Sequence, residues 1–122
     1  MTKPLRILIV EDEELIAMLL AETVEALGHE VCATAATQAA AVAAAEALRP
    51  DLMIVDSGLG DSSGVDAVAT ILKTSFIPHL FVTGNALEVA ARRPDAVILQ
   101  KPFFVPELVT AIARARAMQA RP

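Results

Sequence analysis

Four places in this sequence carry side chains whose type and spacing could do chemistry together. Glu11, Asp12 and Glu13 directly follow the apolar run Ile7-Leu8-Ile9-Val10, and Asp56 directly follows Leu52-Met53-Ile54-Val55. Thr83 closes the run Leu80-Phe81-Val82, and Lys101 comes just after Ala96-Val97-Ile98-Leu99. Neighbouring carboxylates together with Asp56 make an oxygen-rich, anionic pocket of the kind Mg²⁺ neutralises. With that charge offset, the Asp56 carboxylate can attack a phosphorus atom without electrostatic repulsion stopping it. The Thr83 hydroxyl and the Lys101 ammonium can then hold the oxygens of the transferring group as charge develops. Asp56 is the nucleophile in this scheme. Asp12 is the direct metal ligand, and Glu11 acts through water.

Each of these residues alone has an ordinary explanation. Acidic groups in a first helical turn complement the helix dipole, an Asp after a strand caps a turn, Thr suits strands, and Lys lies in solvent. The set becomes informative only if a scaffold brings all four strand exits to one edge, and the rest of the chain supplies one. The apolar runs at 7–10, 31–33, 52–55, 80–82 and 96–99 lack polar alternation, as strands covered on both faces do. Between them lie helical patterns: Ile16, Leu19, Leu20, Thr23, Val24 and Leu27 on one stripe, closed by Gly28, and an alanine-rich helix from Gln38 to Leu48, stopped by Arg49-Pro50. Val65, Val68, Ala69 and Leu72 mark a third helix, and a brief stretch at Ala86 to Ala91 a fourth. Pro106 starts the last, with Leu108, Ala111, Ile112 and Ala115 on one face. Strict βα alternation implies a parallel, doubly wound sheet, whose ligands sit outside the carboxyl ends of the strands.

Composition narrows the field further. The 122 residues suit one domain, and four Phe with no Trp or Tyr demand an aliphatic, alanine-rich interior. A formal charge of -5 argues against nucleic acid or an anionic membrane as partner. The lone Cys32 makes no internal disulfide, and no signal-peptide or membrane-spanning pattern is visible, so the expectation is a cytoplasmic domain.

The ordered set Ile7 to Glu13, Pro50 to Asp56, Gly64 in the loop after Asp56, Val82-Thr83-Gly84 and Lys101-Pro102-Phe103 resembles the response-regulator receiver family across essentially the whole chain. The resemblance implies a flavodoxin-like (βα)5 fold with strand order 2-1-3-4-5 and a cis Lys101–Pro102 bond, and because the sequence ends with its fifth helix, residues 1–122 are expected to form a stand-alone receiver with no output domain. It further implies phosphorylation of Asp56 by a histidine kinase or histidine phosphotransfer protein. The metal in that scheme is Mg²⁺, held by Glu11, Asp12, Asp56 and the backbone carbonyl of Gly58, and the output is a protein contact or a phosphate sink.

Several positions depart from the family pattern. Glu11 stands where many receivers have Asp, Gly60 where many have Pro, and Ile98 where Tyr or Phe is usual, so the familiar inward turn of that aromatic has no counterpart here. Phe81-Val82-Thr83-Gly84 with the missing aromatic is similar to the receiver subgroup nicknamed FAT GUY, often associated with stress signalling.

Other features receive plainer readings. His29 and His79 have surface or loop-end roles, Cys32 fills apolar space, and Arg114, Arg116 and Arg121 suit the end of the last helix. One of Phe103 and Phe104 packs inward beside the site and the other is exposed. Leu15 and Met18, off the main stripe of the first helix, mark a kinase-docking surface. Two other functional classes remain in view. One is a pseudo-receiver that binds without accepting phosphate. The other is an aspartyl-phosphate phosphatase, which the absence of an acid at Gly58 disfavours.

Overall fold

The computed structural model describes residues 3–118. Its main sheet is parallel throughout, in the order β2-β1-β3-β6-β7, with β1 Arg6–Val10, β2 Glu30–Ala35, β3 Leu52–Asp56, β6 His79–Thr83 and β7 Val97–Gln100. Counting these five alone, this is the expected order 2-1-3-4-5. Two short strands intervene: β4 Gly58–Leu59 and β5 Ser62–Ser63 form a small antiparallel hairpin where the sequence reads simply as a Gly- and Ser-rich turn. The helices are α1 Glu14–Ala26, α2 Gln38–Leu48, α3 Gly64–Leu72, α4 Ala86–Arg92 and α5 Val105–Arg116.

Local chemistry sets the helix ends. Gly28 adopts φ +96 beyond α1, and the bonds Gly28 N–H to Glu25 O (2.9 Å) and His29 N–H to Val24 O (3.2 Å) close the paired motif that such a glycine permits. Thr37 Oγ1 accepts from Ala40 N–H at 3.1 Å to start α2, Ser63 Oγ from Asp66 N–H at 3.2 Å to start α3, and Asn85 Oδ1 from Glu88 N–H at 3.2 Å to start α4. At α5, Glu107 Oε1 reaches back to the Phe104 N–H at 2.8 Å, so the helix begins at Val105, one residue ahead of the start that Pro106 suggests.

The sheet separates two aliphatic cores, as strand alternation requires. Leu8, Val10, Met53, Val55 and Phe81 pack towards α2 and α3, against Ala41, Ala45, Val65, Val68 and Ile71. Ile7, Ile9, Leu52, Ile54, Leu80 and Val82 face the other way, against Val24 of α1 and Leu108, Ile112 and Ala115 of α5. Burial on both faces is why the central strands β1, β3 and β6 read as continuous apolar runs, while the edge strand β2 is only partly covered.

Three expectations need correcting. The buried face of α1 is built on Ala17, Leu20, Ala21, Val24 and Leu27, while Leu19 is 52% and Ile16 39% exposed. The helix therefore turns part of its apolar stripe outward. His79 is no surface residue: it opens β6 fully buried, with Nδ1 2.8 Å from Ile77 O and its ring edge-on to Phe81. Gly64 lies in the first turn of α3, not in the loop. Arg121 falls outside the described residues. Leu15 and Met18 are exposed, as read, and Cys32 is half-buried with its thiol against Ile7 O. No helix among the described residues is long and apolar enough to cross a membrane.

Candidate functional site

Parallel strands of similar length end on one edge, and four neighbouring strands bring their last residues there. Asp56 and Thr83 are the final residues of β3 and β6. Glu11 follows β1 and is tied to β2 by its N–H bond to Ala35 O at 2.9 Å. Lys101 follows β7, its N–H on Thr83 O at 2.8 Å, and precedes Pro102 through a cis bond.

From these exits the side chains converge. Lys101 Nζ donates to Asp56 Oδ2 at 2.6 Å and lies 3.9 Å from Glu11 Oε1. The other Asp56 oxygen, Oδ1, accepts from Gly58 N–H at 2.9 Å. Glu11 Oε2 accepts from Glu13 N–H at 3.2 Å. Asp56 and Lys101 are 45 residues apart in sequence, so this pair is purely a product of the sheet.

The electrostatics follow from crowding acids around one cation. Burial raises the Glu11 carboxyl, and its hydrogen bonding and repulsion with Asp56 push it further, to about 7. Burial opposes the Lys101 ammonium, but the hydrogen bond and charge of Asp56, with Glu11 and Glu13 behind it, outweigh that and raise its pKa. Lys101 thus balances one negative charge where Glu11 and Asp56 can supply two.

Asp12 is exposed, and it borders Gly60: a β-carbon there would lie 3.5 Å from Asp12 Oδ2. Among the described residues no three acidic, His or Cys side chains close into a preformed metal cage. The donor set nevertheless suits Mg²⁺, which takes one or two carboxylates and keeps several waters. Gly58 is exposed on the same side of the site, in the hairpin beyond Asp56.

Thr83 is placed differently from the other candidates. It is 2% exposed, and its Oγ1 accepts from Ser57 Oγ at 2.8 Å and from Asn85 N–H at 3.0 Å. Together with Ser57, Asn85 and Arg92 it lines a cavity of about 220 Å³ beside α4. Glu11, Asp56 and Lys101 instead line a groove of about 610 Å³ that continues over Leu19, Phe103 and Val105 of α1 and the start of α5. Phe103 is the inward member of its pair, and Phe104 is 78% exposed.

Two supporting residues, Ser57 and Gln100, escape a reading of the sequence, and a third, Gly64, is read without its reason. Ser57 would have needed the β3–β6 pairing to be known. Gln100 spans the loops, with Nε2 donating to Gly84 O and Lys101 O, each at 3.0 Å, and Oε1 accepting from Ala86 N–H at 3.0 Å. Gly64 is recognisable as a motif glycine, but its reason is steric: a β-carbon there would sit 1.9 Å from the Asp56 carbonyl oxygen.

Comparison with known proteins agrees with this geometry. Residues 7–113 match the model of the response regulator receiver domain. The chain is 43% identical over 117 residues to the phyllosphere-induced regulator PhyR of Methylorubrum extorquens, covering 93% of this chain and 44% of that protein. The solution structure of the PhyR receiver domain of Erythrobacter litoralis superposes with a TM-score of 0.86 at 37% identity, covering 98% of this chain and 95% of that one. The crystal structure of the anti-anti-sigma factor PhyR of Bartonella quintana gives 0.81 at 36% identity, over 94% and 48%. The chain therefore spans less than half the length of the first and third of these relatives. A five-stranded parallel sheet of this order, with an acidic cluster, a threonine and a lysine at its carboxyl edge, and a family match over nearly its whole length place the chain in the response-regulator receiver family.

Proposed function

We propose that this domain accepts a phosphoryl group on Asp56 from a phosphohistidine, on a histidine kinase or a histidine phosphotransfer protein, and signals through a protein contact. The observation that carries this reading is the Lys101 Nζ–Asp56 Oδ2 pair at 2.6 Å with Glu11 at 3.9 Å, set at the carboxyl ends of neighbouring parallel strands. In the transfer, an Asp56 oxygen forms the new bond to phosphorus as the phosphorus–nitrogen bond breaks, and the imidazole leaves with that electron pair. Lys101 stays beside the acceptor and meets the charge on the phosphoryl oxygens, and Thr83 supplies a hydroxyl to them. Glu11, Asp12, Asp56 and the Gly58 carbonyl would hold Mg²⁺, which supplies the positive charge that Lys101 alone leaves short. The domain is a switch and not an enzyme with turnover: the position two beyond Asp56 is Gly58, so no side chain there can protonate a leaving group.

Likeness to PhyR proteins supports a place in stress signalling of the kind those relatives are named for, with the FAT GUY pattern at Phe81-Val82-Thr83-Gly84 as a further pointer. A role as a phosphate sink for a shared kinase uses the same chemistry. The test is incubation with acetyl phosphate and Mg²⁺ followed by intact-mass measurement under acid quench, with Asp56→Asn and a metal-free sample alongside. A single phosphoryl adduct that needs both Asp56 and Mg²⁺ is the expected result. No adduct from acetyl phosphate or from any candidate kinase would refute it and leave a binding module.

A further inference from the structure

We propose that Ser57 is a latch that holds the Thr83 hydroxyl away from the acceptor, and that occupation of Asp56 proceeds at the expense of the Ser57–Thr83 hydrogen bond. This inference rests on the reading of Asp56 as the phosphoacceptor. A threonine hydroxyl offers two lone pairs and one proton. Here Ser57 Oγ–H at 2.8 Å and Asn85 N–H at 3.0 Å occupy both lone pairs of Thr83. Thr83 is 2% exposed, so water is poorly placed to replace either partner.

The anchor of this latch is firm. Ser57 follows the nucleophile directly, its N–H bonds Val82 O at 3.2 Å, and its carbonyl accepts from Gly64 N–H at 2.9 Å. Its hydroxyl is thus presented from a fixed backbone across the β3–β6 junction. The bonded pair faces the cavity that contains Asn85 and Arg92, while Asp56, Lys101 and Glu11 face the separate groove over α1 and α5.

In this proposal Thr83, which lines the α4 cavity and not the Asp56 groove, brings its proton to a ligand oxygen on Asp56 by rotating about χ1. A β-branched side chain makes that move between a few discrete wells, and leaving the present one breaks the bond to Ser57. On the β7 side of β6 no side chain shares this restraint among the described residues. Ile98 pairs in register with Phe81 and has no polar atom to hold Thr83 in either position. The side-chain restraint on the threonine therefore comes from the nucleophile's own strand exit, and the Asn85 N–H adds a backbone one from the end of β6 itself. The net worth of one hydrogen bond sets the bias at about five-fold in an equilibrium constant.

The experiment titrates isotope-labelled protein with beryllofluoride in Mg²⁺, following the Thr83 amide and methyl resonances by NMR. Ser57→Ala is expected to bind beryllofluoride about five-fold more tightly than wild type, with Thr83 resonances displaced towards the bound position before ligand is added. Thr83→Ala and the Ser57→Ala/Thr83→Ala double variant are expected to bind equally, because the gain acts through the threonine. Ser57→Cys, whose thiol is a weak donor, moves in the same direction as Ser57→Ala and covers the case in which alanine impairs folding. Unchanged or weaker binding by the Ser57 variants, or the same gain without Thr83, overturns the latch alone. Failure of the wild type to bind beryllofluoride overturns the phosphoacceptor reading and the latch with it.

Discussion

Gly64→Ala is the substitution whose cost the structure specifies most directly. The added methyl would fall 1.9 Å from the Asp56 carbonyl oxygen, 2.7 Å from Val55 Cγ1 and 2.9 Å from the Asp56 carbonyl carbon. A comfortable carbon–oxygen contact is about 3.3 Å or more, so backbone must separate by over an ångström. β3 cannot yield easily, because β1 and β6 pair with it on both sides. The movement then falls on the start of α3, where it breaks the Gly64 N–H bond to Ser57 O. Overpacking of about 1–3 kcal/mol and a lost hydrogen bond of about 1 kcal/mol together give a loss of about 2–4 kcal/mol. For a domain of this size that lowers Tm by roughly 8 °C or more.

Circular dichroism at a helix wavelength reads this without an aromatic probe. Gly58→Ala is the matched control: a β-carbon there meets nothing within 4 Å and its backbone is not in the left-handed region, so its Tm should change by no more than about 2 °C. If Gly64→Ala also melted within about 2 °C of wild type, the account of why this position is glycine would be wrong.

Two buried groups should give opposite pH slopes in urea unfolding without divalent metal. The folded protein holds the Glu11 proton more tightly than the unfolded chain, so this group's stabilisation is full below about 4.5 and is lost as pH rises through about 7. Glu11→Gln should flatten that decline, and an unchanged slope would contradict it. Burial lowers the His79 pKa from 6.5, with Arg93 adding to the effect against the Ile77 hydrogen bond, so its contribution is present above 6.5 and lost as pH falls. His79→Phe should remove that acid-side loss, visible as a smaller drop in midpoint between pH 7 and pH 5. The Arg92–Asp66 ion pair between α4 and α3 is half exposed at both ends, so Arg92→Ala should cost less than about 1 kcal/mol. Thr37→Ala, which removes the side-chain cap of α2, should cost about 1 kcal/mol in the same chemical unfolding assay.

The central strands were legible because burial on both sides removes any need for polar residues, and Glu11, Asp56 and Thr83 were legible because each directly ends such a run, with Lys101 set off from the last run by Gln100. Side-chain direction was not. Leu19 sits at helical spacing with the α1 stripe yet faces outward along the groove, since small residues, Ala17 and Ala21, let the helix lie close to the sheet on a different face. His79 has no local signal for burial. What hides it is Phe76, Phe81 and the Ile77 carbonyl, which the fold brings around it. Thr83 was correctly placed at the edge, but its bond to Ser57 crosses between strands 26 residues apart, and spacing alone says nothing of a rotamer.

The order of the strands in the sheet also sets when the site can exist during synthesis. Asp56 emerges with β3, but its cation Lys101 follows β7, the edge strand that pairs only with β6. A chain still lacking its last unit carries Asp56 with no Lys101 ammonium beside it and a β6 edge left unpaired. The contacts that complete the pocket are long-range, and loop closure must come before they contribute. The Asp56–Lys101 pair is therefore completed only when the final strand docks.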